Sequence, residues 1–397
     1  MKRLIKNTKN VLLATTLIAG SVSMANAGLM GDGNSMGNAN LVIPGLTLQG
    51  QIESPHIIAG DQPGGEAPLV PSGAYSGVVS INIRYADGGS FICTGSAISK
   101  RHIVTAAHCI DETGTGVALD ISDPDADVRA VFTEDSAIVP GGLITATQVD
   151  IHPDYIGFGV CGPGDVPGLG TQCLNDDIAV ITLGEDIPDS AEFYDFYRGN
   201  MELDGSTMFE MVGHGTGGNG IEGGNVGPSF FNKRFGFNMP EIFACDDATS
   251  GAAGGYASTA ACDANWGNQA EVWRADFDGI DANGDLQDTW CDAFGICGPI
   301  LSADITDPIF EANIGGGDSG GPSFIRGMMN ELLLIGNNTF GSGSGAYGST
   351  FGGNLYAPYL AWIDSFTNPI RASAPATMGF IALTLGALVF GRKRRVS

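Results

Sequence analysis

Gly315-Gly316-Gly317-Asp318-Ser319-Gly320-Gly321-Pro322 sets one serine in a run of glycines. Such a turn lets several backbone N–H groups converge on one oxygen, which is what a reacting carbonyl needs. A serine hydroxyl is a weak nucleophile at neutral pH and must be activated by a base. Thr105-Ala106-Ala107-His108-Cys109 supplies a histidine directly after the apolar, strand-like Ile103-Val104-Thr105. Imidazole, with an ordinary pKa near 6.5, can take the serine proton and return it to a leaving group. Leu174-Asn175-Asp176-Asp177-Ile178-Ala179-Val180-Ile181 supplies a carboxylate at the entrance to an apolar strand. A buried carboxylate fixes the imidazole tautomer and stabilises the imidazolium. Asp176 and Asp177 compete for that role.

In chain order these motifs run histidine, aspartate, serine. They resemble those of the trypsin-like (chymotrypsin-fold) serine proteases, not the subtilisins or the α/β-hydrolases. Further stretches agree: Phe91-Ile92-Cys93-Thr94-Gly95-Ser96-Ala97-Ile98, His152-Pro153-Asp154-Tyr155, Gly213-His214-Gly215 (the family has Trp for His214) and Tyr359-Leu360-Ala361-Trp362-Ile363. The resemblance covers roughly Ile57 to Phe366. It implies an all-β fold of two antiparallel six-stranded β-barrels, the active site in the cleft between them, and a short C-terminal helix. It also implies a serine-type endopeptidase acting through an acyl-enzyme. Ser319 is then the nucleophile and His108 the acid and base. Asp177 is the orienting acid, because the family places it directly before the strand. The N–H groups of Gly317 and Ser319 form the oxyanion hole, and Cys93 bonds to Cys109.

The resemblance extends to specificity and activation. Asn313 matches the base of the primary specificity pocket, and Thr339-Phe340-Gly341 the segment that pairs with substrate. Asn313 lacks the charge that would select Arg or Lys, with nearby Glu311 the one residue able to supply it instead. Ile57-Ile58-Ala59-Gly60 resembles the mature start, whose freed amine pairs with the aspartate before the nucleophile, here Asp318. His56 stands where a tryptic activator would need Arg or Lys. A reading from a different class is a catalytically silent surface adhesion or matrix protein on a protease scaffold. His152 and His214 read as structural or exposed rather than catalytic, and His102 as solvated.

The rest of the chain is consistent with an exported protein. Residues 1–27 form a signal peptide: a basic head at Lys2, Arg3, Lys6 and Lys9, an apolar core, and Ala25-Asn26-Ala27 as the cleavage site. Residues 28–56 read as a flexible linker and propeptide. Residues 57–370 form the protease domain, with an insertion around 217–300. Residues 371–397 carry Ser373-Ala374-Pro375, the apolar run Met378 to Gly391, and Arg392-Lys393-Arg394-Arg395. That tail resembles a PEP-CTERM sorting signal, with Ser-Ala-Pro for the usual Pro-Glu-Pro, and a plain membrane anchor is the alternative. The implied partners are protein or peptide substrates, signal peptidase and an exosortase-type transpeptidase. The implied location is the envelope, surface or surroundings of a Gram-negative bacterium.

The chain has 18 basic and 44 acidic residues. Lys2, Arg3, Lys6, Lys9 and Arg392 to Arg395 are eight of the basic ones; without them 10 remain against 44, a net charge of −34. This excludes nucleic acid as a partner. The eight cysteines lie between Cys93 and Cys297, and an even number in an exported chain reads as disulfides. Neighbour spacing suggests Cys161–Cys173, Cys245–Cys262 and Cys291–Cys297, with connectivity left open. Cys-x-x-Cys is absent, which disfavours zinc. No cofactor is required and no metal ligand is assigned. The acidic run Asp276 to Asp285 is similar to calcium loops but has Leu286 where an EF-hand needs Gly. It reads as a solvated acidic loop, with calcium as the alternative.

Overall fold

The computed structural model describes residues 38–43, 46–51, 57–160, 173–246, 256–266 and 269–367. Both terminal signals, His56 and Cys161 lie outside these residues.

Six strands close the first barrel: β1 (Val78–Arg84), β2 (Ser90–Ala97), β3 (His102–Thr105), β4 (Asp127–Glu134), β5 (Ala137–Ile151) and β6 (Ala179–Leu183). The order is β2-β1-β4-β5-β6-β3, and β3 pairs back onto β2 through Ser96 with Val104 and Ala97 with Ile103. Strand β1 is buried on both faces, for two different reasons. Val79, Ile81 and Ile83 fill the barrel interior with Ile103, Phe132 and Ile181. Val78 and Ser80 face the second half instead, where Ser80 Oγ donates to the Phe230 carbonyl at 3.0 Å.

The second half is built from β7 (Phe209–Gly213), β8 (Arg234–Asn238), β9 (Ala270–Asp276), β10 (Pro322–Arg326), β11 (Leu332–Asn337) and β12 (Thr350–Asn354). Ladders join β8-β7-β10-β11 in one sheet and β9-β12 in another. Gly336 and Leu355 bridge the two sheets. At the far edge Asn238 Nδ2 donates to the Asp276 carbonyl at 2.8 Å, linking β8 to β9. The core between the sheets contains Phe209, Met211, Trp273, Phe310, Ile325 and Phe351.

The span 217–300, read from sequence as an insertion, thus supplies two strands of this half, β8 and β9. The added material lies between and after them. It includes helices Ala260–Trp266 and Thr289–Phe294, each beside a disulfide, Cys245–Cys262 and Cys291–Cys297. A third apolar cluster joins the halves: Val78, Val104 and Ile178 meet Val212, Phe324, Leu334 and Tyr356. Helix Leu360–Thr367 closes the domain over this seam through Ile363.

Candidate active site

Strands β3 and β6 are barrel neighbours, with Thr105 opposite Ala179. His108 lies just past the end of β3, on the short 3-10 turn Ala107–Ile110, and Asp177 lies just before β6. The ladder therefore delivers both residues to the same end of the barrel. Asp177 Oδ2 is 2.6 Å from His108 Nδ1, and Asp177 Oδ1 accepts the His108 backbone N–H at 2.8 Å. The Asp177 side chain is fully buried. Asn337 of β11 donates to the Asp177 carbonyl at 3.1 Å, so the second half braces this acid. Asp176 faces the other way. Its φ is +59°, and its carboxylate lies 3.4 Å from His152 Nδ1. His152 packs edge-on against Tyr359 and Trp362.

The serine turn is held from both halves. The Gly321 N–H donates to the Asp318 carbonyl and the Gly320 N–H to the Asn338 carbonyl. Gly317 has φ +97°, a conformation open to glycine at little cost. Among the described residues the N–H groups of Gly317 and Ser319 donate to no protein acceptor. Ser319 itself is partly exposed. Disulfide Cys93–Cys109 joins β2 to the His108 turn. Its Cys109 sulfur lies 3.9 Å from His108 Nε2 and 3.7 Å from the Ser319 carbonyl oxygen, so histidine and serine flank one atom.

Sequence reasoning missed Thr94. Its hydroxyl donates to the Gly317 carbonyl at 2.6 Å and accepts the His214 N–H at 3.0 Å. Its backbone N–H donates to the Ser319 carbonyl at 2.9 Å. One buried threonine of the first barrel thereby clamps the turn that carries Gly317 and Ser319. The only signal was its place directly after Cys93.

Asp318 is fully buried beneath the turn. It accepts N–H groups from Gly215 and Gly315, both at 2.7 Å, and from Ile57. Burial pushes its carboxyl up to about 7, against the pull of these donors and of Arg234. Gly213 explains the Gly-His-Gly motif, because a Cβ there would lie 1.8 Å from Asp318 Oδ1. His214 is fully buried, and burial lowers it to about 3, so it is neutral at working pH.

The expected specificity residues fall in two separate ladders. Asn313 is buried, pairs with Ile58, and its Oδ1 accepts the Ile314 N–H at 2.7 Å. Thr339 is buried and donates its N–H to the Gly352 carbonyl. Phe340 and Gly341 pair with β12, and the Arg274 guanidinium lies 5.0 Å from the Phe340 ring centre. The Glu311 carboxylate is turned to Asn238 and to the Leu301 N–H.

Residues 64–221 match the family model described as Trypsin. The chain carries a domain of the trypsin family. The matched span includes His108 and Asp177 and ends before Ser319. No curated protein matches the chain. Among solved structures, the chain is similar to a collagenase titled "HL collagenase structure at 1.7A resolution". The two are 17% identical, with 76% of this chain and 97% of the collagenase covered and a TM-score of 0.43.

Proposed function

We propose that this trypsin-family chain is an exported serine endopeptidase that cleaves peptide bonds through Ser319, His108 and Asp177. The observation that carries the reading is the two-point hold of buried Asp177 on His108, through Nδ1 and through the backbone N–H. With the proton kept on Nδ1, Nε2 is the basic nitrogen. Ser319 Oγ attacks the peptide carbonyl and its proton passes to Nε2. The N–H groups of Gly317 and Ser319 stabilise the oxyanion. His108 returns the proton to the leaving amine as the C–N bond breaks, which leaves an acyl-enzyme that water hydrolyses by the same route in reverse. Each oxyanion donor contributes about 2.7–4 kcal/mol to the transition state.

The test is a fluorophosphonate probe on the exported chain. Labelling and peptide hydrolysis are expected for the wild type and lost in Ser319→Ala, with the fold retained. A wild-type chain that neither reacts nor cleaves would support the silent adhesion reading instead.

The same reading extends to specificity and processing. Asn313 offers only dipoles, Glu311 is engaged elsewhere, and Arg274 beside Phe340 adds positive charge. A buried cation without a counter-charge costs several kcal/mol, about enough to exclude it. Neutral residues are therefore expected before the scissile bond in a peptide-library profile, and a dominant Arg or Lys signal would remove Asn313 from the pocket. Export by the signal peptide and removal of Met378 to Ser397 by an exosortase-type transpeptidase complete the proposal. The intact mass of the native protein checks the removal.

A further inference from the structure

Three carboxylates unused by the proposed chemistry meet in the second half. Glu241 starts the return from β8, Asp276 ends β9, and Asp278 follows it by two residues. The turn back places them together, with the Glu241 N–H donating to the Arg274 carbonyl at 3.0 Å. They are 3%, 1% and 3% exposed. One oxygen from each lies within 4.8 Å of the others. Glu241 Oε2, Asp276 Oδ1 and Asp278 Oδ1 are buried and meet no hydrogen-bond donor among the described residues. The second oxygen of Asp276 is already engaged, accepting the Trp290 N–H at 2.8 Å.

We propose that Glu241, Asp276 and Asp278 form a calcium site. Three unpartnered buried oxygens of one sign are costly unless a cation joins them. The charges that bear on them, from each other and from Asp288, are themselves acidic. Burial, reinforced by these neighbours, pushes Glu241 up to about 10 and Asp278 to about 8, the direction a cation would reverse. The geometry suits a calcium ion. Oxygens on opposite sides of one ion with bonds of about 2.4 Å stand about 4.8 Å apart. An all-carboxylate set favours a hard cation over zinc or copper. Calcium accepts six to eight oxygens in flexible geometry, whereas magnesium keeps several waters that a buried cluster has little room to hold.

This ligand set differs from the loop suggested by sequence. Asp281 and Asp285 belong to an exposed turn in which Asp281 accepts the N–H groups of Asn283 and Asp285. Of the acids in that run only Asp276 and Asp278 are buried, and Glu241 comes from the segment after β8. The cation would tie the β8 return to β9. Through Asn238, which donates to Asp276, Glu311 and Ala312, it would also stiffen the segment beneath Asn313.

The full exported chain, stripped with EGTA and returned to chelator-free buffer, tests this without reference to turnover. Calorimetry with calcium chloride is expected to give one ion per chain. Thermal unfolding at saturation is expected to shift up by about 5 °C. Terbium chloride is expected to luminesce on tryptophan excitation, through nearby Trp290, and to be displaced by calcium. Asp278→Asn should lose all three responses while its calcium-free Tm equals or exceeds that of the wild type, because one buried charge is gone. Asp281→Asn should keep them. Should Asp278→Asn fail to fold, Glu241→Gln is read the same way and the wild-type titration stands alone. A wild type that binds no stoichiometric calcium overturns the site. So does a response that survives Asp278→Asn or is lost with Asp281→Asn.

Discussion

Asp176 and Asp177 are chemically identical neighbours that a single backbone angle separates. The positive φ of Asp176 turns its carboxylate to His152 and leaves Asp177 to His108. Asp177→Asn is expected to lower kcat by about 10⁴, since an amide no longer enforces the tautomer. Asp176→Asn should leave kcat within a few-fold. Peptide turnover decides between them, and an equal loss from both variants would mean that the carboxylates share the role. Thr94→Val leaves the Gly317 carbonyl without its hydroxyl donor. A lost buried hydrogen bond is worth about 1–3 kcal/mol, so kcat should fall by about ten- to a hundredfold with KM little changed. His108 and Ser319 were legible because their chemistry fixes both their identity and their flanks. Thr94 was not, because it acts on a turn distant in sequence, and any small hydroxyl residue in a strand looks alike until the partner is seen.

Strands β3 and β6 were legible as Ile103-Val104-Thr105 and Ile178-Ala179-Val180-Ile181, because burial makes them near-continuous apolar runs. Strands β8 and β9 escaped for the opposite reason. Arg234 interrupts one, and Glu271, Arg274 and Asp276 interrupt the other, all buried charges that erase the expected pattern. The closing helix was legible, but the contact of Tyr359, at its entrance, with the residue before Asp177 was not. The Asp176 N–H donates to Tyr359 Oη at 2.9 Å, and that hydroxyl in turn donates to Glu271. Arg198 and Asp364 hold the helix to the body by a bidentate pair. Tyr359→Phe is expected to loosen the Asp176 turn, lowering Tm by several degrees and kcat by up to about tenfold. Unchanged unfolding and turnover in this variant would detach the helix from the site.

At the scale of the whole molecule, Asp318 makes stability depend on pH. Its carboxyl is raised from 3.8 to about 7 by burial. Between about pH 4 and pH 7 the folded chain keeps a proton that the unfolded chain gives up. The stabilisation is thus complete below pH 4 and fades as the pH rises to about 7. Cleavage before Ile57 would free an ammonium, charged below about pH 8, beside this carboxylate and reverse the trend. In the Ser319→Ala background, Tm of the uncut chain should fall from pH 4 to pH 7 more steeply than Tm of the cut chain, and Asp318→Asn should flatten the curve. Equal slopes in all three would exclude Asp318 as the titrating group. The short pairing of Ile58–Ala59 with Ala312–Asn313 has a consequence in time. These partners are separated by about 250 residues of chain, so the segment made first finds its place only after nearly all the rest has been delivered. A growing chain can close its first barrel before the second half exists. Its serine turn has no floor until the last strands arrive, so the peptidase activity proposed above would stay silent through the chain's own synthesis.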